Sequence, residues 1–291
     1  MSSPPNGTSA TPRSEGLNSE SETFRAFERA GWDHSAAAYD EVFASRLTVQ
    51  AVPALLDEAG VGAGMRVLDV ACGPGHLAAA AAARGAEAVG VDFSPALVAE
   101  ARRLFPHIAF REGDAEALPF ADVSFDAVVI GFGMLHFPDP DAALREARRV
   151  LRPGGRIAFT VWDALERAPG YRIVHEAIAA HGGIGVDLPP GPPMFRFSDP
   201  AEAARSLLAA GFEAPASRTL PLVWELPSAD HRWQWLDRCG VRTAALVKAQ
   251  PPAAQARIRE VMRAGFARYA REDGSIALPM PAVLSGARRS R

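Results

Sequence analysis

Several residue types that would indicate a particular partner or compartment are scarce in this 291-residue sequence. The two cysteines, Cys72 and Cys239, are too few for a disulfide framework and lack the spacing of metal ligands. No apolar run is long enough to span a membrane, and the N-terminus lacks the apolar centre of a signal peptide. We therefore expect a cytoplasmic protein with no metal site and no membrane partner.

Lysine is also scarce, because Lys248 is the only one, and the formal net charge is −3. This balance gives no electrostatic reason to expect nucleic acid as a partner. Arginine supplies nearly all the positive charge, which we attribute to the codon usage of a GC-rich, bacterial genome. With 48% hydrophobic and 22% charged residues, the composition is that of a globular protein able to bury a substantial core.

The most informative stretch runs from Arg66 to Asp92. A β-prone segment, 66–70, leads into a glycine-containing turn at 71–75 and then into an alanine-rich helix. A second apolar segment, 88–91, ends on Asp92. This order predicts a strand, helix, strand unit with small residues at the turn and a carboxylate at the tip of the second strand.

Two glycines and one acid make this unit a candidate nucleoside site. Gly73 and Gly75 permit a sharp turn and the close approach of a ligand, because glycine has no Cβ and adopts positive φ at little cost. Asp92 follows the turn by about 20 residues, where a carboxylate can accept hydrogen bonds from both hydroxyls of a ribose. The sequence therefore predicts a nucleoside pocket, without identifying the nucleoside.

The rest of the chain alternates amphipathic helices with apolar strands. Capping residues followed by proline mark helix starts at 94–95, 139–140 and 199–200. The alternation predicts an α/β fold with an open, doubly wound sheet. The expected division is a disordered tail (1–22), N-terminal lid helices (23–60), the nucleoside-binding core (61–163), an insertion or cap (164–198), a continuation of the core (199–226), a helical cap (227–274), and a final strand and tail (275–291).

A series of motifs between Arg66 and Trp162 resembles a known family: VLDVACGPG, VGVD, GDAEALPF, FDAVV followed by GMLHF, and RVLRPGGRIAF. Together they resemble the class I S-adenosylmethionine-dependent methyltransferases, in particular the small-molecule branch that includes the ubiquinone and menaquinone biosynthesis methyltransferases. The resemblance implies a Rossmann-like, seven-stranded, mostly parallel sheet, here with an added helical cap. It also implies S-adenosyl-L-methionine as the cofactor.

The resemblance further implies roles for individual residues. Asp92 looks like the ribose-binding acid and Phe93 like the residue that packs against adenine. Asp114 and Ala115 resemble the pair that recognises the adenine amino group and ring nitrogen. The cofactor-binding residues are thus expected to be Tyr39, Asp69, Ala71, Cys72, Gly73, Gly75, Asp92, Phe93, Asp114, Ala115 and Gly131.

Three of these positions have a second interpretation. Ala71 stands where the family often has glycine, so its methyl group crowds the contacts there. Tyr39 either covers the methionine end of the cofactor or only packs against the core. Cys72 is either a reactive thiol or a small residue packed behind the glycines.

Transfer of a methyl group from a sulfonium requires little from side chains, because the donor is already activated. A general base is needed only where the nucleophile must lose a proton. His136, just past the fourth strand, is the best candidate for that base, although it could instead fix its loop or contact the cofactor. Trp162 is best placed to line an acceptor pocket, and weaker candidates for the site are His175, His181, Phe195, Phe197, Trp224, Trp233 and Trp235.

We expect an S-adenosylmethionine-dependent methyltransferase that acts on a small, hydrophobic or aromatic metabolite by C-, O- or N-methylation. Its context would be bacterial specialised metabolism, such as antibiotic biosynthesis, or quinone-type metabolism. Gly73, Gly75 and Ala78 also fit the G-x-G-x-x-A fingerprint of NAD(P)-dependent oxidoreductases. A non-catalytic S-adenosylmethionine-binding protein is a third alternative. The sequence defines neither the acceptor nor the oligomeric state.

Overall fold

A computed structural model describes residues 12–183 and 185–291, without the side chains of 12–18 and of position 42. Its strands are β1 (Arg66–Val70), β2 (Glu87–Asp92), β3 (Ala109–Glu112), β4 (Phe125–Gly131), β5 (Leu151–Trp162), β6 (Phe212–Leu220), β7 (Val223–Leu226), β8 (Ile276–Pro279) and β9 (Ala282–Arg289). The main sheet has seven strands in the order β3-β2-β1-β4-β5-β9-β6, and β7 pairs with β8 in a separate small sheet.

The main sheet is mostly parallel, which confirms the predicted doubly wound α/β class. Strands β1 to β5 pair in parallel, and β9 runs antiparallel between β5 and β6. The chain builds outward from β1 through β2 to β3 and then returns to place β4 on the other side of β1. In such sheets a ligand crevice opens at the carboxyl ends of the strands where the order reverses. The fold therefore places that crevice beside β1 and β4.

Helices cover both faces of the sheet and supply the additional cap. They are α1 (Pro12–Tyr39), α2 (Val52–Glu58), α3 (His76–Ala83), α4 (Pro95–Leu104), α5 (Pro140–Val150), α6 (Pro169–His181), α7 (Pro200–Ala209), α8 (Ala229–Cys239), α9 (Arg242–Lys248) and α10 (Pro252–Ala267). The predicted caps are present, because Ser94, Asp139 and Asp199 each accept a hydrogen bond from a backbone N–H in the first turn of their helix. None of the described helices is long and apolar enough to cross a membrane.

Helices α6, α8 and α10 and the small sheet share one hydrophobic core with the main sheet. Trp224 of β7, Phe266 of α10 and Leu278 of β8 are fully buried. They belong to the same buried cluster as Leu55 of α2 and Val129 of β4. The cap is therefore packed onto the sheet, beside the carboxyl ends of its strands.

The structure corrects the predicted boundary of the N-terminal tail. Of the tail expected to be disordered, 1–22, residues 1–11 lie outside the described residues, whereas 12–22 form the start of α1. Strand β5 begins at Leu151, so the Pro-Gly-Gly segment 153–155 lies inside the strand, opposite a register shift in β4. The segment 217–226 forms parts of two strands in different sheets.

Candidate active site

The turn after β1 is built from left-handed backbone. Ala71, Gly73 and Gly75 have φ values of 55°, 51° and 89°. A Cβ on Gly75 would lie 2.7 Å from Cζ of Phe110, so this position tolerates no side chain. Alanine tolerates the left-handed region only with strain, which explains why glycine would be favoured at position 71. The turn is thus shaped by two glycines and one strained alanine.

We expect Ala71→Gly to raise the free energy of unfolding by about 1 kcal/mol, because relief of left-handed strain exceeds the entropy lost by a more flexible unfolded chain. Urea denaturation of the two proteins would measure the difference. Ala78→Gly in α3 is the matched control, since it removes the same methyl group from a right-handed helical position and should lower stability by about 1 kcal/mol. Equal losses in both variants would show that position 71 is not strained.

Asp92 is held in place by the backbone at the tip of β2. Its Oδ2 accepts a hydrogen bond from the Gly73 N–H (2.9 Å) and its Oδ1 accepts one from the Ser94 N–H (3.0 Å). Burial raises the pKa of Asp92 to about 6, while these two N–H groups favour the ionised form. The carboxylate is therefore fixed in orientation and poised to accept further hydrogen bonds at neutral pH.

Asp69, near the carboxyl end of β1, is a second buried acid of the crevice. Its Oδ2 accepts a hydrogen bond from the Ala78 N–H at 3.0 Å. Its Oδ1 is buried and has no hydrogen-bond partner among the described residues. Burial raises the pKa of Asp69 well above its ordinary value. An unpartnered oxygen of this kind calls for a donor from a ligand.

Three adjoining cavities, of about 880, 490 and 340 Å³ including their open mouths, follow the carboxyl ends of the strands. Ala71 lines all three, so they form one continuous crevice. The crevice brings together every predicted site residue except Gly75, whose place is in the turn. The largest cavity is lined by Tyr39, Ala71, Gly73, Asp92, Phe93, Gly131, His136 and Trp162. The other two add Asp69 and Cys72 at one end and Asp114 and Ala115 at the other. The role of each residue stays a prediction.

Helix α1 crosses the end of the crevice that holds Asp114. Arg25 forms an ion pair with Asp114 at 2.9 Å. One turn further along α1, the Arg29 guanidinium lies 5.8 Å from the centre of the Phe93 ring. The Ser94 hydroxyl donates a hydrogen bond to Asp33 at 2.6 Å. These contacts hold α1 over the end of the crevice that contains Asp114. The function of 23–60 as a lid stays a prediction.

The predicted base, His136, has a partner that sequence reasoning missed. Its Nδ1 lies 2.8 Å from Oε2 of Glu28, a fully buried side chain of α1, and the ring meets Trp32 edge to face with centroids 5.0 Å apart. The imidazole is therefore oriented from two sides, with Nε2 left for other contacts. The two residues of the pair are 108 positions apart, so no local pattern could have joined them.

An aromatic wall closes the largest cavity on the cap side. Trp162 stacks on Phe132 with ring centroids 4.2 Å apart and also contacts Tyr171. Phe132 has a left-handed φ of 60°, which is strained for this residue type. The wall further contains Trp32, Phe43 and Trp235. Of these aromatic residues, only Trp162 and Trp235 were predicted as candidates for the site. The others could not be distinguished from core residues, because core and pocket aromatics share the same spacing.

The weaker candidates lie mostly outside the crevice. Trp224 is buried in the core that the cap shares with the sheet, His175 packs against Phe195, and Phe197 packs against Phe159. His181 is exposed at the end of α6, Phe195 packs against Tyr171, and Trp233 is partly exposed beside Arg259. Within residues 12–183 and 185–291, no group of three or more His, Cys, Asp or Glu residues is arranged to hold a metal ion.

The arrangement matches known proteins in sequence and in fold. Residues 68–159 match the family described as methyltransferase domain. The demethylmenaquinone methyltransferase of Beutenbergia cavernae is 47% identical over 116 residues, which cover 40% of this chain and 48% of that relative. This chain thus spans about half the length of the curated relatives it matches.

Solved structures agree on the fold. The YcgJ protein of Bacillus subtilis matches with a TM-score of 0.55 and 21% identity, covering 84% of this chain and 99% of that one. A phosphoethanolamine N-methyltransferase 2 of Haemonchus contortus, solved with phosphomonomethylethanolamine and S-adenosylhomocysteine, matches with a TM-score of 0.58 and 18% identity, covering 92% of this chain and 60% of that one.

Residues 68–159 therefore match a methyltransferase domain within a Rossmann-like fold, and the resemblance predicted from the motifs is confirmed. The dinucleotide fingerprint at 73–78 falls inside this domain, so it no longer favours an oxidoreductase.

Proposed function

We propose that the whole protein transfers a methyl group from S-adenosylmethionine to a small, hydrophobic or aromatic acceptor. The observation that carries this proposal is the cavity of about 880 Å³, which joins the nucleoside-binding residues to the aromatic wall. Asp92 and Phe93 line one side of that cavity, while Trp162 and Tyr171 line the other. A donor and an acceptor could therefore meet in one space of suitable size.

The residues present fit the cofactor. The fixed carboxylate of Asp92 would accept hydrogen bonds from the ribose, and Phe93 would pack against adenine. The unpartnered Oδ1 of Asp69 would accept from the amino group at the methionine end. When bound, S-adenosylmethionine supplies a methyl carbon that is already activated for displacement. Tyr39 would cover that end of the crevice and exclude water, which would compete with the acceptor.

His136 is proposed to hold or remove the proton of an acceptor hydroxyl, amine or activated carbon. It lines both the largest cavity and the one that contains Asp114, which supports a place for it in the site. Glu28 fixes the imidazole through Nδ1, which directs Nε2 into the remaining space. This arrangement follows the logic of a base that is oriented by a carboxylate.

Quinone-type metabolism is the context that the relatives favour. The matching enzyme of Beutenbergia cavernae is named for demethylmenaquinone, a reduced form of which has an aromatic, apolar ring system. A flat acceptor of that type would suit a wall built from Trp162 and Phe132. Specialised metabolism of another aromatic compound is the second context that we propose.

A screen with S-adenosylmethionine labelled with deuterium at the methyl group tests the proposal. The protein would be incubated with a panel of naphthoquinols, phenols and aromatic amines, and products would be identified by mass spectrometry. We expect a labelled methyl group on at least one aromatic member of the panel. Binding of S-adenosylhomocysteine without any labelled product would favour a non-catalytic binding protein, and tighter binding of a nicotinamide dinucleotide would overturn the proposal.

The raised pKa of Asp92 predicts how cofactor affinity depends on pH. A ribose donates hydrogen bonds to the ionised carboxylate, so binding lowers the pKa of Asp92 from its value of about 6 in the free protein. Affinity for S-adenosylhomocysteine should therefore be flat near neutral pH and fall by up to about tenfold per pH unit below about 6. Calorimetric titrations across this range would measure the decline.

The control for this pH dependence is Asp92→Asn, which removes the titrating group and keeps the shape of the side chain. Its affinity should be weaker but nearly independent of pH. An unchanged pH profile in Asp92→Asn would show that Asp92 is not the group that titrates.

A further inference from the structure

A buried arginine without an anionic partner lies behind the aromatic wall. Arg232 of α8 has no exposed surface, and none of its three guanidinium nitrogens has a hydrogen-bond partner among the described residues. The guanidinium lies 4.2 Å from the centre of the Trp235 ring and 5.2 Å from that of Trp224. These ring faces attract the cation but leave its N–H groups unsatisfied.

Burial of the charged Arg232 side chain costs free energy unless a nearby anion offsets its charge. A buried charge is normally paired and hydrogen-bonded, because the loss of hydration otherwise costs several kcal/mol. Burial lowers the pKa of Arg232 to about 10, so the side chain remains charged at neutral pH. Nearby buried nitrogens also have no described partner, namely Nε1 of Trp224 and Trp235 and Nε2 of His175. The guanidinium and the two indole N–H groups are therefore buried donors without an acceptor among the described residues.

Arg232 is electrostatically connected to the largest cavity. Three residues of its lining, Tyr171, Trp235 and Cys239, lie between the cavity and the guanidinium. Burial raises the pKa of the Cys239 thiol to about 12 and also raises the pKa of the Tyr171 hydroxyl, and the charge of Arg232 partly offsets both increases. The charge thus acts across this wall, where a low dielectric constant makes it effective over several Å.

Arg242 is a second positively charged side chain on the acceptor side of the cavity. Arg242 lines the cavity, and its described contacts are the Phe24 ring and the Pro189 carbonyl, neither of which is an anion. Of the described residues that line the cavity, Asp92 alone carries a carboxylate, and it lies at the nucleoside side. The nearest carboxylates that act on this lining, Glu28 and Glu41, pair with His136 and Arg238. Among the described residues, Arg232 and Arg242 therefore have no carboxylate partner.

We propose that the methyl acceptor carries a carboxylate group, for which Arg232 is the buried counter-charge and Arg242 the second cation. This inference rests on the proposed function and narrows its acceptor to aromatic carboxylates. The cavity accommodates the apolar ring against the aromatic wall. The carboxylate lies beside Arg242 and is separated from Arg232 by the Trp235 ring. Arg232 would therefore influence the choice of acceptor through its charge, without contacting the acceptor.

Matched pairs of a carboxylate and its neutral amide test the proposal. Benzoate with benzamide, 1-naphthoate with 1-naphthamide and 2-naphthoate with 2-naphthamide would be titrated into the S-adenosylhomocysteine-loaded protein, with tryptophan fluorescence as the signal. We expect the carboxylate to bind about tenfold more tightly than the amide in at least one pair. Equal affinities in every pair, or no binding of any carboxylate, would overturn the proposal.

Variants of Arg232 test whether this residue causes the preference for carboxylates over amides. Arg232→Met should abolish it while raising the midpoint of thermal unfolding, because an apolar side chain replaces an unpaired buried charge. Arg232→Lys keeps the charge and should keep part of the preference. Arg259→Met is the matched control. Arg259 of α10 lies over Trp233, which is on α8 like Arg232, but Arg259 is half exposed and paired with Asp230.

Two outcomes separate this proposal from the methyltransferase assignment. A variant Arg232→Met that keeps the carboxylate preference, or that is less stable than the unmodified protein, would show that Arg232 has a structural role. Calorimetry with S-adenosylhomocysteine alone tests the cofactor site independently. Binding of that molecule without any carboxylate preference would overturn only the acceptor class, whereas its failure to bind would overturn the proposed function.

Discussion

Replacing Asp92 with alanine is expected to weaken the binding of S-adenosylhomocysteine about a hundredfold or more. The carboxylate would accept charge-assisted hydrogen bonds from two ribose hydroxyls, each contributing about 1.5 to 3 kcal/mol. The substitution also frees the N–H groups of Gly73 and Ser94, which Asp92 now holds in the turn and at the start of α4. Isothermal titration calorimetry at neutral pH would measure the loss.

Two further variants make this result interpretable. Asp92→Asn retains an oxygen that can accept one of the backbone hydrogen bonds, so we expect an intermediate affinity. Asp126→Ala removes a carboxylate from the opposite end of the sheet, where Asp126 pairs with Arg152, and should leave affinity unchanged. Wild-type affinity in Asp92→Ala, with an intact circular dichroism spectrum, would mean that the ribose binds elsewhere.

The position of Asp92 at the end of β2 could be predicted because its signals are local. A glycine turn, an apolar strand and an acid at its tip are consecutive in the chain, and parallel strands bring their carboxyl ends to one edge. The helix starts at Ser94, Asp139 and Asp199 were predicted for the same reason, since a capping residue acts within its own first turn.

Features that depend on distant contacts were not predictable in this way. The pairing of Glu28 with His136 joins α1 to the loop after β4, and the burial of Arg232 results from the packing of α8 against β7. Neither leaves a periodic pattern in the sequence. The helical state of 12–22 has a similar origin, because α1 is anchored further along by Arg25 and Asp33 and nothing in 12–22 ends the helix.

The second large effect is expected from His136→Ala. If His136 removes a proton from the acceptor, its loss should lower kcat by about a hundredfold to ten-thousandfold. Affinity for S-adenosylhomocysteine should change by less than about threefold, because in the proposed site Asp92, Asp69 and the glycine turn would hold the cofactor. The measurements are steady-state kinetics with the acceptor identified by the labelled-methyl screen and calorimetry with S-adenosylhomocysteine.

Glu28→Gln separates the orientation of the imidazole from its chemistry. The amide can still accept a hydrogen bond from Nδ1, but it no longer offers a negative charge to an imidazolium, so kcat should fall by about tenfold with KM nearly unchanged. Glu22→Gln makes the same change at an exposed position of α1 and should have no effect. A large loss of S-adenosylhomocysteine affinity in His136→Ala would instead make His136 a cofactor contact. In that case Glu28 would serve to anchor α1 over the crevice rather than to orient a base.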